Sequence, residues 1–286
     1  MKSNDAVSMN RRKFARLASA SLVSLGASGI WLEAQAQKSG LTKSDADQAM
    51  ENAMRGPKLQ IAMLLYPEFT ALDLIGPHTF LASLMNVDVH LVWKDKQPVP
   101  IDRGGTAILP TTPIAECPKN LDLLFVPGGA EGTAAAMRDD ILLDFLADRG
   151  SRAKYVTSVC TGSLLLGCAG LLKGYRATSH WVALDLLPLV GATAVRERVV
   201  EDRNRITGAG VTSGIDFGLV VAARLRGRVY AEMLQLINEY NPKPPFDAGT
   251  PTEAGSGLTE HLRAALGPSV IAFQESASRA KKEKRF

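Results

Sequence analysis

The chain has 286 residues, enough for one large domain or two small ones, and its 46% hydrophobic content is that of a globular protein, not a disordered one. Its formal charge of +4 comes from the two ends: Lys2, Arg11, Arg12, Lys13 and Arg16 near the start, and Arg279, Lys281, Lys282, Lys284 and Arg285 near the finish. The body between them is slightly acidic, so overall basicity gives no case for nucleic-acid binding, and none is expected.

Ser8-Met9-Asn10-Arg11-Arg12-Lys13-Phe14 sets two arginines before a phenylalanine, the moderately apolar stretch Leu17 to Leu32 follows, and Ala34-Gln35-Ala36 supplies the small residues of a cleavage site. Residues 1–36 therefore read as an export signal of twin-arginine type. The periplasm is the expected location, with the cytoplasm as the alternative. The apolar segment is too short and too weakly hydrophobic for a membrane span. No stable membrane insertion is expected after cleavage; an uncleaved amphipathic anchor is the other reading. Residues 37–56 are polar and are expected to be a flexible spacer.

The body, about 57–245, alternates strands and helices. Leu59–Leu65 is a continuous apolar strand ended by Tyr66-Pro67, and a helix with Pro77 in its first turn follows. Asp73 is the one acid in the apolar run before it. It is either a capping or surface acid, or a half-buried carboxyl group whose pKa is raised and which can carry a proton. Val87–Trp93 alternates as a second strand, and Pro98–Pro110, centred on Gly104-Gly105, reads as a hairpin. Leu121–Val126 is another buried strand, closed by Pro127-Gly128-Gly129. That pair of glycines is a plain turn, or a place where backbone N–H groups line a site.

Helical patterns follow at Thr133–Met137 and Ile141–Gly150. Tyr155–Val159 is then a β-branched strand that stops at Cys160, and Thr161-Gly162-Ser163 opens another apolar helical pattern. A sharp strand-to-helix turn lifts one side chain into a cleft beside free N–H groups, which favours a nucleophilic thiolate. Leu171–Trp181 reads as a helix end, turn and short strand, Trp181–Leu187 as a helix, and Thr193–Val200 with Arg205–Thr207 as a hairpin. Gly208–Asp216 opens the helices Phe217–Arg226 and Val229–Tyr240. Residues 246–286 read as a C-terminal arm, helical over Thr259–Ala272, with a solvated basic tail at Lys281–Arg285. The pattern implies an α/β domain, a mostly parallel sheet with helices on both faces. Ligands of such sheets bind beyond the carboxyl ends of the strands, where Asp73, Gly128-Gly129 and Cys160 all fall.

Three cysteines, Cys117, Cys160 and Cys168, make an odd and sparse set, so no disulfide framework is expected. No pair has metal-ligand spacing; neither a metal nor a cofactor is expected.

Pro127-Gly128-Gly129, Ser158-Val159-Cys160-Thr161-Gly162 and Arg176-Ala177-Thr178-Ser179-His180-Trp181 together resemble the ThiJ/PfpI family of the class I glutamine amidotransferase-like superfamily. Leu72–His78, Glu197–Val200, Gly214–Phe217 and Pro244–Phe246 bring the likeness closest to the bacterial isocyanide hydratases. The resemblance spans roughly 58–250 and implies a flavodoxin-like three-layer sandwich and a homodimer. It also implies hydration of a small-molecule isocyanide to an N-substituted formamide. Cys160 would attack the isocyanide carbon, and Asp73 would protonate the adduct and activate water. Thr161 would position that carboxyl group or the water, and N–H groups at Gly128, Gly129 and Thr161 would line the site. Thr161 occupies the position where one branch of the superfamily carries the histidine that activates its cysteine, and His180 reads as a structural turn residue; Cys-His amide hydrolysis is thereby disfavoured. A glyoxalase-like or redox-responsive cysteine protein is the alternative. A ligand-sensing module related to AraC-type regulators ranks lower, with too few residues after 245 for their DNA-binding region.

Overall fold

The computed structural model describes residues 40–286; the expected signal, 1–36, lies outside the described residues. The first helix among the described residues, α1 (Lys43–Arg55), replaces most of the expected flexible spacer. Thr42 caps it: the Thr42 hydroxyl accepts the Asp45 N–H, and the Asp45 carboxylate accepts the Thr42 N–H. That capping box, with Met50 and Ala53 packed on the body, outweighs the polar composition that suggested a spacer.

β1 (Leu59–Leu64) follows, then α2 (Ala71–Leu81), which starts six residues before Pro77 and so places Asp73 in its first turn. The fully apolar positions around Asp73 carry the helix, and Pro77 lies inside it. β2 (Val87–Trp93) leads to the short hairpin β3 (Val99–Pro100) and β4 (Ala107–Ile108), then β5 (Thr112–Pro113) and β6 (Leu123–Val126). α3 (Glu131–Ala136) and α4 (Asp140–Gly150) connect to β7 (Tyr155–Val159), and α5 (Gly162–Cys168) comes directly after the Cys160 turn.

β8 (Arg176–Ala177) pairs in parallel with β9 (Thr193–Ala194), so the expected Thr193–Val200 strand divides. Between them the expected helix begins only at Leu184, as a 3₁₀ stretch to Val190 that contains Pro188. β10 (Val199–Asp202) and β11 (Arg205–Gly208) form the hairpin, followed by α6 (Ser213–Arg226) and α7 (Arg228–Ile237).

Seven strands form one sheet in the order β10-β11-β7-β6-β1-β2-β5. All its pairings are parallel except β10 with β11. The central strands β1, β6 and β7 are almost wholly buried, as a sheet covered by helices on each side requires, with Thr157 and Ser158 of β7 the polar residues taken inside.

The chain ends in α8 (Pro251–Ala265) and α9 (Gly267–Lys282), and the arm is not a loose appendage. Residues Thr42–Phe286 form one unit. α9 packs on α3 and α5, and it buries Phe273, Ala277 and Ala280. Of the basic end expected to be solvated, Lys281, Lys282 and Lys284 are exposed, but Arg285 is tied down: it donates to Asp144 at 2.9 Å and Asp140 at 2.7 Å, and Arg279 donates to Asp140 at 3.1 Å. Such half-exposed pairs contribute about 0–1 kcal/mol each, so the apolar face does most of the anchoring. Phe273→Ala is expected to lower the stability of the whole domain by about 3–5 kcal/mol, read as an earlier single transition in urea. An unchanged main transition would mean that α9 is not part of the core.

Candidate active site

β11, β7, β6 and β1 lie side by side, and their carboxyl ends bring four chain segments to one edge of the sheet. β1 leads to Asp73, β6 to Pro127-Gly128-Gly129, β7 to Cys160 and β11 to Ala209-Gly210-Val211. The sequence-predicted residues Cys160, Asp73, Gly128, Gly129 and Thr161 are all brought together here.

Cys160 has φ of 59°, a left-handed conformation that costs an L-residue about 1–2 kcal/mol. The surroundings hold the strained turn from both sides. Its N–H donates to the carbonyls of Gly208 (3.0 Å) and Ala209 (2.9 Å), and its carbonyl accepts the hydroxyls of Ser163 (3.1 Å) and Ser179 (3.0 Å). The residue is only 5% exposed. Burial and the negative charge of Asp73 push the thiol well above its ordinary pKa, while hydrogen bonds to Sγ from the Thr161 and Val211 N–H groups favour thiolate.

Asp73 is wholly buried, in hydrogen-bonding reach of the Cys160 thiol. Oδ2 accepts the Gly128 N–H at 3.0 Å; Oδ1 is buried and engages no N–H or O–H donor. Burial raises the carboxyl to about 7, opposed by the Cys160 thiol and the Gly128 N–H and assisted by the charge of Asp102. The half-buried proton carrier, not the capping acid, is the reading the geometry supports. Gly128 makes the approach of the two groups possible: a Cβ there would stand 2.7 Å from both Asp73 Oδ2 and Cys160 Cβ.

Two expected roles are corrected. Thr161 Oγ1 does not face the carboxyl group: it accepts the Gly129 N–H (2.9 Å), donates to the Gly129 carbonyl (2.6 Å) and lies 2.9 Å from Thr133 Oγ1. The Gly129 N–H is thereby committed and is not a free donor, and the Gly128 N–H serves Asp73. Thr161 reaches the reacting atom through its backbone N–H alone. Val211 and Ser179 were not singled out, though they lie in the Gly208–Asp216 and Arg176–Trp181 runs; that Val211 faces Cys160 follows from the pairing of β11 with β7.

Among the described residues, no group of three or more His, Cys, Asp or Glu side chains is placed to hold a metal ion. No imidazole is among the groups that bond to Sγ.

Residues 59–224 match the model of the DJ-1/PfpI family. The chain belongs to that family. It is 50% identical over 222 residues to the isonitrile hydratase of Pseudomonas putida, covering 78% of this chain and 96% of that protein. The crystal structure of a ThiJ/PfpI family protein from Pseudomonas syringae, 52% identical, superposes with a TM-score of 0.73 over 80% of this chain and 92% of the other. The HTH-type transcriptional regulator GbdR of Pseudomonas aeruginosa is 29% identical over 175 residues, 59% of this chain and 44% of the regulator.

A carboxyl group raised from 3.8 to about 7 keeps its proton in the folded chain where the unfolded chain has released it. Its stabilising effect is full below the unfolded value and is lost as pH rises to about 7, at roughly 1.4 kcal/mol per unit and on the order of 4 kcal/mol in all. Asp73→Asn is therefore expected to stabilise the protein by a few kcal/mol at about pH 8 and hardly at all at about pH 4. Urea midpoints of both proteins across that range provide the check, and a pH-independent difference would contradict the raised pKa.

Proposed function

We propose that the chain hydrates an isocyanide to the N-substituted formamide, with Cys160 as nucleophile and Asp73 as acid and base. The observation that carries this is the composition of the site: a nearly closed thiol is bonded to a protonatable carboxyl group and two N–H groups, and to no imidazole. Within the pair, transfer of the thiol proton to Asp73 yields thiolate and neutral acid without creating net charge in the buried site. The thiolate attacks the terminal carbon of R–N≡C, forming the S–C bond, and Asp73 gives its proton to that carbon, leaving the thioimidate R–N=CH–S. The Asp73 carboxylate then takes a proton from water as its oxygen adds to the same carbon. Asp73 returns that proton to nitrogen, and as the S–C bond breaks the proton of the added hydroxyl passes to the Cys160–Asp73 pair, releasing R–NH–CHO and regenerating it. Water supplies the oxygen and both hydrogens, and no oxidant or reductant is needed.

Access supports the same substrate class. The thiol of a cysteine only 5% exposed is reached more easily by a slim, linear N≡C end than by a planar amide, whose carbonyl carbon carries two substituents. The 50% identity to the isonitrile hydratase, isonitrile being another word for isocyanide, adds to the reading.

The proposed location is the periplasm, on the strength of the arginine pair, apolar stretch and small-residue site in residues 8–36. Among the described residues no helix is long and apolar enough to cross a membrane. A homodimer is proposed from the family resemblance, and the exposed side chains of Leu236, Ile237 and Phe246 offer apolar surface for it.

The test is to mix the purified chain with cyclohexyl and shorter alkyl isocyanides and to follow formamide by chromatography. Wild type is expected to turn over at least one; Cys160→Ala abolishes turnover, and Asp73→Asn slows it by about 10²–10⁴-fold with an unchanged circular dichroism spectrum. Formamide production that survives Cys160→Ala would overturn the mechanism, and no turnover of any isocyanide by wild type would overturn the function.

A further inference from the structure

The thiolate-favouring contact from Val211 comes from a loop, Gly208 to Thr212, that joins β11 to α6; the Cys160 N–H holds its Gly208 and Ala209 carbonyls, and the next residue, Gly210, is packed from the other side. His180 is the residue that packs it. Its ring lies on the backbone of Gly210, so close that a Cβ on Gly210 would stand 2.5 Å from His180 Cδ2 and 3.3 Å from Nε2. Gly210 does not have a left-handed φ, so it is the space taken by this ring, not backbone conformation, that calls for glycine.

The segment carrying the ring is fixed at several points. The Thr178 N–H donates to Thr207 Oγ1 at 2.9 Å, and the Ser179 hydroxyl donates to the carbonyl of Cys160 itself. The Val182 N–H lies 3.4 Å from His180 Nδ1, a long hydrogen bond that places the ring proton on Nε2. Burial lowers the tendency of the ring to take a second proton. On the outer side Trp181 is covered by the Arg263 guanidinium of α8, 5.1 Å from its ring centre. From Gly210 the loop turns into α6, with the Ser213 N–H on the Gly210 carbonyl and the Gly214 N–H on that of Val211. Gly214 in turn abuts Pro77 of α2. The loop is thus caught between the His180 ring and the start of a helix that cannot retreat.

We propose that His180 is a positioning residue of this site: its ring wedges the Gly210 backbone so that the Val211 N–H is delivered onto Cys160 Sγ. The inference rests on Cys160 being the reacting thiol, but not on the identity of the substrate. It assigns the ring a role of shape, separate from proton transfer.

The test reads the thiol directly. The rate of Cys160 alkylation by iodoacetamide, followed by mass spectrometry of its peptide, is measured against pH in wild type, His180→Ala, His180→Phe, Gly210→Ala and the double variant His180→Ala/Gly210→Ala. Loss of one hydrogen bond to a charged sulfur is expected to move the His180→Ala profile up by about one pH unit, a roughly tenfold slower reaction at fixed pH. Gly210→Ala moves it the same way, because ring or loop must shift. His180→Phe, which keeps a ring without its nitrogens, stays near wild type. The double variant returns towards wild type as the added methyl group fills the vacated space. Thermal midpoints are measured in parallel; a purely structural role would lower them and leave every profile in place, which overturns the proposal. A His180→Phe profile displaced as far as that of His180→Ala would overturn it too. If His180→Ala does not fold, Gly210→Ala and His180→Phe decide by the same criteria. None of these readouts involves isocyanide, so failure of the hydratase reading and failure of this one are told apart.

Discussion

A thiol and a carboxyl group buried against each other cannot both be charged, and the site of this protein is arranged around that constraint. Removing either charge from water is costly, and the charge of one raises the pKa of the other. The two groups therefore titrate as a pair, with apparent values belonging to the pair. Isolated, each would be inert at neutral pH: a protonated thiol and an ionised acid. In the proposed mechanism they exchange one proton internally, producing the nucleophile and the acid that addition to an electrophilic carbon requires.

The fold serves this pair in several ways. Four adjacent parallel strands end at one edge, so residues far apart in sequence meet there without long loops. Gly128 lets the backbone pass between Asp73 and Cys160 while its N–H steadies the carboxylate. The left-handed turn at Cys160 is held by hydrogen bonds from strand, helix and the Ser179 segment, so its strain persists as geometry. The C-terminal helix contributes at a distance. The Ser276 hydroxyl lies 3.3 Å from the Ala134 carbonyl in α3, and Thr133 of α3 adjoins the Thr161–Gly129 lock. What looks in the sequence like a trailing arm is a buttress behind the Cys160 turn.

The parts legible in the sequence were those written in local pattern. Continuous apolar runs marked β1 and β6, a β-branched strand stopping at Cys160 marked β7 and the elbow, and a lone acid in an apolar run marked Asp73. The parts that were not legible depend on partners far along the chain. That Thr161 would spend its hydroxyl on Gly129 follows from the pairing of β6 with β7, and that Val211 would face Sγ follows from that of β7 with β11. The helix Lys43–Arg55 was hidden by its polar composition, because its cap is a matter of two residues and its docking of two more. The docking of Arg285 was not legible because its acidic partners, Asp140 and Asp144, lie about 140 residues earlier.

The central claim, that Asp73 holds its proton near neutrality beside Cys160, is tested most directly by infrared difference spectroscopy of wild type against Asp73→Asn over a pH series. The account predicts a protonated-carboxyl carbonyl band, absent from the variant, that fades around the value of about 7 expected for Asp73. A band already lost by about pH 5, in the range of ordinary carboxylates, would contradict it.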